Sequence, residues 1–143
     1  MFEQQTPHTL LRHEYLTDSA GPGQWRGGLG VETIFEIGSD DTQLVTFGDG
    51  DFEGAFGLAG GQGAGLNFIR LRYPDGREVV PRNKDLITGV PKGTIYHQVA
   101  NGGGGWGDPK LRDRRVLAEE VANGVISREA AVSVYGMSEE ELP

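Results

Sequence analysis

Cysteine is absent from the 143 residues, which excludes disulfides, iron–sulfur clusters, thiolate zinc and a cysteine nucleophile. Basic residues are in deficit: 13 Lys and Arg stand against 21 Asp and Glu, giving a net charge of −8 and a pI near 4.8. A surface of that sign repels phosphate backbones and anionic lipid, so neither nucleic acid nor a membrane is expected as a partner. Nowhere do about 18 apolar residues run together, and Phe2-Glu3-Gln4-Gln5 has neither the basic nor the apolar region of a secretory leader. A cytoplasmic chain is expected. Runs of Ala and Leu are also scarce, which argues against a helical bundle.

What the sequence does hold is glycine: 24 Gly and 7 Pro make up 31 of the 143 residues, against an average share of roughly 12%. The glycines follow no strict G-x-y period, so collagen is excluded. Leu, Ile, Val and Phe total 35, enough for one core. These proportions predict a mainly β fold, an irregular glycine-rich β/loop domain with two short C-terminal helices. Residues 1–108 form its β-rich part, and 109–143 a helical tail packed on the same domain.

Alternation and turn residues place the elements. Thr9–Leu16 reads as a strand of imperfect alternation, and Val31–Ile37 and Thr42–Phe47 read as a β-hairpin across Gly38-Ser39-Asp40-Asp41. Residues 48–65 carry eight glycines, too many for regular structure. Such a segment offsets its ordering entropy only by packing against something, and it has few large apolar residues to do so internally. Asn67–Tyr73 and Glu78–Val80 form a second hairpin around Pro74-Asp75-Gly76-Arg77, and Asp85–Thr88 and Thr94–Val99 are two further short strands. Leu111, Val116, Leu117 and Val121 recur at helical spacing and predict a helix near 113–123 with Gly124 as its stop. Ser127 suits the N-cap of a second helix closed by Gly136, and Ser138 to Glu141 has capping-box spacing cut short by Pro143.

A search for chemistry among these residues yields no catalytic, cofactor-binding or metal site. Asn101-Gly102-Gly103-Gly104-Gly105-Trp106-Gly107-Asp108-Pro109 is the most biased segment, yet the Lys-Ser/Thr pair of a phosphate-binding loop is absent. Tight packing of its backbone against a partner is the better reading of it. Trp106 is accordingly expected to be buried, either under the C-terminal helices or at a junction with a larger chain. His8 and His13 project to opposite faces of an extended segment, which does not suit one metal ion. Asp49, Asp51 and Glu53 lack the order of a calcium loop and read as solvated acids. Ser127 and Ser133 have no base at a recognisable spacing, and Trp25, Trp106 and Tyr135 read as packing anchors.

Four blocks then carry a resemblance. Asp18-Ser19-Ala20-Gly21-Pro22-Gly23-Gln24-Trp25-Arg26-Gly27-Gly28-Leu29-Gly30 resembles the D-S-G-G-x-G-x-[YW]-R-G-G-x-G segment of the hydantoinase B/5-oxoprolinase family. Phe56-Gly57-Leu58-Ala59-Gly60-Gly61 is similar to its W-G-L-x-G-G, and Gly103-Gly104-Gly105-Trp106-Gly107-Asp108-Pro109 to its G-G-G-[YW]-G-D-P. Gly124-Val125-Ile126-Ser127-Arg128-Glu129-Ala130-Ala131 with Val134-Tyr135-Gly136 is similar to its closing block. Ala20 stands where glycine is usual, and Ala100-Asn101 where Thr-Pro is; both departures touch turns.

The family's B chains are several times longer and hold these blocks in their C-terminal part, so the resemblance is to that tail, made as a separate small subunit. It implies a non-catalytic small subunit of an ATP-dependent ketone carboxylase of the acetophenone carboxylase type, a ligase complex in which this chain has no self-contained active site. Its implied partners are a hydantoinase B-like large subunit and hydantoinase A-like ATP-binding subunits, with ATP and bicarbonate held at those other subunits. The alternative is the tail subunit of an ATP-dependent hydantoinase or 5-oxoprolinase, a cyclic-amide hydrolase. A free-standing binding module is the third reading.

Overall fold

Strand-forming residues in short alternating runs, broken by glycine and proline, give a mainly β structure. The computed structural model describes residues 2–82 and 84–143. Its strands are β1 (Thr9–Tyr15), β2 (Val31–Glu36), β3 (Thr42–Phe47), β4 (Phe68–Arg72), β5 (Glu78–Val79), β6 (Lys84–Val90) and β7 (Ile95–Ala100). Its helices are α1 (Phe2–Gln5), α2 (Arg114–Ala122) and α3 (Arg128–Ser133), with single 3-10 turns at Pro109–Leu111 and Glu139–Glu141. The one-turn α1 was not foreseen, because four residues carry no readable period. The chain divides into two compact units, each assembled from three segments.

The first unit comprises Met1–Glu14, Glu32–Phe52 and Asn67–Ala100. Its larger sheet has the order β1-β2-β7-β4-β5. β4 runs antiparallel to β7 with Leu71 opposite Tyr96 and Ile69 opposite Gln98. Its alternation is clean, Ile69 and Leu71 buried between exposed Phe68, Arg70 and Arg72. On the covered face the Phe35 ring stacks on Tyr96 at 4.6 Å, with Phe2 at 5.4 Å from Phe35. The β4–β5 hairpin forms as expected, closed by Tyr73 N–H donating to the Arg77 carbonyl at 2.9 Å.

The expected β2–β3 hairpin does not form. β2 lies between β1 and β7, so both its edges are taken, and β3 pairs antiparallel with β6 in a separate two-stranded ribbon. Ile37, the residue leaving β2, donates its N–H to the Thr94 carbonyl at 2.9 Å and accepts from Gly93 N–H at 2.8 Å. Its backbone is thereby held by the turn before β7, and the polar link 38–41 passes on to the ribbon.

The second unit comprises Tyr15–Val31, Glu53–Leu66 and Asn101–Pro143. Its apolar core is helical: Leu117, Ile126, Ala131, Tyr135 and Met137 are buried together. Asp113 caps α2 by accepting from the N–H groups of Arg115 and Val116, and Gly124 ends it at φ +70°. Ser127 caps α3 by accepting from Ala130 N–H. Both helices stand where their caps predicted. Their apolar face is narrower than the spacing suggested, since Leu117 is buried while Leu111 and Val116 are exposed. Among the described residues, no helix is long and apolar enough to cross a membrane.

Candidate functional site

Three extended segments of the second unit, 18–28, 55–64 and 101–107, lie against one another through their backbones. Residues 101–107 bond to both of the others, which also meet directly where Gln62 N–H donates to the Pro22 carbonyl at 2.7 Å. On one side Gly21 N–H donates to the Gly103 carbonyl at 2.8 Å, and Trp25 and Trp106 exchange both their N–H donors at 2.8 and 3.0 Å. On the other side Leu58 N–H donates to the Gly105 carbonyl, and Gly107 N–H to that of Leu58, each at 2.9 Å. Glycine is required because there is no room for anything else: a Cβ on Gly27 would stand 1.8 Å from the Gly103 carbonyl oxygen, and one on Gly104 1.9 Å from that of Phe56. The expectation of tight backbone packing at 101–109 therefore holds, with segments of this same chain as the partner. Residues 54–65 also find their packing within this chain, contrary to the expectation that they lack an internal support.

Residues facing each other across paired segments project to the same side. Trp106 faces Trp25 on one neighbour and Leu58 on the other, and the three side chains are 50%, 66% and 58% exposed. Phe56, two residues before Leu58, is exposed as well. Of the two places expected for Trp106, burial under the C-terminal helices is thus overturned, which leaves a junction with a larger chain. Its ring belongs to the outward face of the layer, and the helical core is filled by Tyr135, whose hydroxyl pKa burial raises. Of the three anticipated anchors, only Tyr135 is enclosed by this chain.

Polar side chains fasten the layer to the helices. Glu120 on α2 accepts from Arg26 Nε at 2.6 Å and from Arg112 Nε and Nη2 at 2.8 Å each. The three side chains are only 22%, 10% and 12% exposed for Arg26, Arg112 and Glu120. Arg112 also donates to the Gln24 carbonyl at 3.0 Å. This triad was not foreseen, because its members are scattered along the chain and Glu120 reads as an ordinary surface charge. Arg26, a charge inside a glycine block, was the one available signal. Asp18 accepts from Ser127 N–H at 2.9 Å, and buried Ser19 accepts from Gly30 N–H at 2.8 Å.

A cavity of about 380 Å³ lies beside residues 18–29 and α3. Three polar residues on its wall are engaged within the unit: Asp18 and Arg26 as above, and Ser133 by donating to the Glu129 carbonyl at 2.7 Å. The histidines are employed separately. His8 Nδ1 accepts from Gly38 N–H at 3.1 Å, His13 Nδ1 lies 3.0 Å from the Thr33 hydroxyl, and His97 Nε2 lies 2.8 Å from Glu32. Arg12 donates to the same Glu32 carboxylate at 2.7 Å, and that hydrogen bond chiefly holds the Glu32 pKa below its ordinary value. Asp49 pairs with Lys84 at 3.1 Å. Among the described residues, no group of three or more His, Cys, Asp or Glu side chains is placed to hold a metal ion.

The model of the hydantoinase B/oxoprolinase family matches residues 1–109. The chain belongs to the hydantoinase B/oxoprolinase family. Caprolactamase subunit beta of Pseudomonas jessenii is 31% identical over 141 residues, covering 96% of this chain and 24% of that protein. The acetone carboxylase alpha subunit of Xanthobacter autotrophicus is 24% identical over 170 residues, covering 96% of this chain and 22% of that subunit. The crystal structure of ATP-dependent caprolactamase from Pseudomonas jessenii superposes with a TM-score of 0.75 at 31% identity, over 96% of this chain and 25% of that chain. The chain thus spans about a quarter of the length of these relatives. In this hydantoinase B/oxoprolinase chain, all four sequence blocks meet in the second unit.

Proposed function

We propose that this chain is a non-catalytic small subunit of a multi-subunit, ATP-dependent enzyme, completing the fold and interfaces of a hydantoinase B-like large subunit. The observation that carries this reading is the use made of the four blocks. They hold backbone against backbone and turn Trp25, Phe56, Leu58 and Trp106 outward. Large rings on a rigid support suit burial against a protein partner. The charged and hydroxyl groups within the blocks, Asp18, Ser19, Arg26 and Ser127, make hydrogen bonds inside the unit. ATP and bicarbonate belong in this reading to the other subunits, including hydantoinase A-like ATP-binding chains, and the complex is cytoplasmic.

For the reaction itself we favour ketone carboxylation of the acetophenone carboxylase type, supported by the acetone carboxylase relative; the sequence blocks are common to both chemistries. Cyclic-amide hydrolysis has one specific observation in its favour, the higher identity to the caprolactamase subunit, 31% against 24%. Purification through this chain, followed by ATPase assays of the complex with acetophenone, hydantoin and 5-oxoproline in turn, separates the two chemistries. Trp106→Ala should weaken assembly by about 2–4 kcal/mol. Unchanged co-purification and unchanged melting of that variant would exclude the outward rings as an interface.

A further inference from the structure

The β3–β6 ribbon of the first unit carries large apolar side chains on both faces, with Gln43 and Lys84 among the polar residues of the outer one. Leu44, opposite Ile87, and Thr46 form its inner face, which is half-buried or buried. Val45, opposite Leu86, and Phe47 form its outer face, and these three are 75%, 58% and 89% exposed. A strand pair with one solvated face normally alternates apolar with polar residues, and an isolated two-stranded ribbon is marginal in water. The one charge opposite Phe47, Lys84, is drawn away to Asp49. A contiguous patch of this kind marks an interaction surface.

We propose that the outer face of this ribbon is a docking surface for the hydantoinase B-like polypeptide that supplies the remaining three quarters of the family's length. This rests on the function proposed above and adds a second contact, on the other unit of the chain from the tryptophans. The occupant follows from coverage: the relatives carry this region within one polypeptide about four times as long. A second copy fits less well, because a chain of net charge −8 repels its like. The test co-produces this chain with the hydantoinase B-like polypeptide, using Phe47→Asp, the double variant Val45→Lys/Leu86→Lys, and an otherwise native chain with p-benzoylphenylalanine replacing Phe47. The expected results are binding weakened at least tenfold by each charged variant and a photo-cross-link from position 47 to that polypeptide. If a charged variant does not fold, the cross-link alone decides. Native binding by the charged variants with no cross-link, while Trp106→Ala still releases the partner, overturns the ribbon and leaves the subunit reading standing. A cross-link between two copies of this chain also overturns it. Failure of the unaltered chain to bind the hydantoinase B-like polypeptide removes both.

Discussion

Gly27 and Gly28 are neighbours in the chain with opposite surroundings. A Cβ at Gly27 would collide with the Gly103 carbonyl, whereas one at Gly28 meets nothing within 4 Å. Gly27→Ala should therefore cost roughly 3 kcal/mol or more, since only backbone movement relieves the overlap. Gly28→Ala should change stability by less than about 1 kcal/mol, and in the stabilising direction if the reduced freedom of the unfolded chain prevails. Denaturant unfolding of the pair checks this, and equal effects would refute the close packing. Glu32 offers a second test at this scale. Its carboxyl pKa is depressed in the folded state, chiefly by the Arg12 hydrogen bond. The stability this contributes is present above the ordinary glutamate value of about 4.3 and is lost as pH falls through the folded value. The melting temperature of Glu32→Gln should lie below that of the native chain at pH 7, and the gap should close on acidification; a gap constant to pH 3 would dismiss the linkage.

Elements were legible where the information is local. Ser127 marks the start of α3 by the hydrogen bond it accepts, Gly124 stops α2 by its positive φ, and Gly76 turns the β4–β5 hairpin. Pairing was not legible where it depends on which edges are free. Thr42–Phe47 is a strand as its β-branched residues require, but its partner was decided by β1 and β7 flanking β2. The outward tryptophans illustrate the same limit: glycine excess announces close backbone contact, while the side to which Trp25 and Trp106 project depends on the register of segments distant in sequence. The Glu120 triad likewise joins α2 to residue 26 across most of the chain. Glu120→Ala leaves two largely buried guanidinium groups without their counter-charge and should cost about 3–5 kcal/mol. Glu120→Gln, which keeps an acceptor, should cost less. A melting curve for the alanine variant matching the native one would show that the triad does not hold α2.

For the molecule as a whole, the question is what the isolated chain does. Lacking a phosphate-binding lysine motif, a cofactor attachment site and a nucleophile at a recognised spacing, it should turn over neither ATP, ketone nor cyclic amide alone. Turnover abolished by one substitution within it would overturn that. Its glycine layer finds its support internally, so association should arise from the exposed apolar side chains, Phe47, Phe52, Phe56 and Trp25 among them. Light scattering of the isolated chain should show self-association at raised salt, where the repulsion of its net charge of −8 is screened, and the partner polypeptide should suppress it. The alternation of segments between the two units also bears on synthesis. The first unit can close once Ala100 has left the ribosome, but the second has residues 101–107, which bond to both 18–28 and 55–64, made after those two. Residues 18–28 and 55–64 share one direct bond, Gln62 N–H to the Pro22 carbonyl at 2.7 Å, but the layer's other cross-segment bonds wait for the segment that both adjoin. Closure over such separations is slow, and the last glycine-rich stretch made acts as the key that commits the rest.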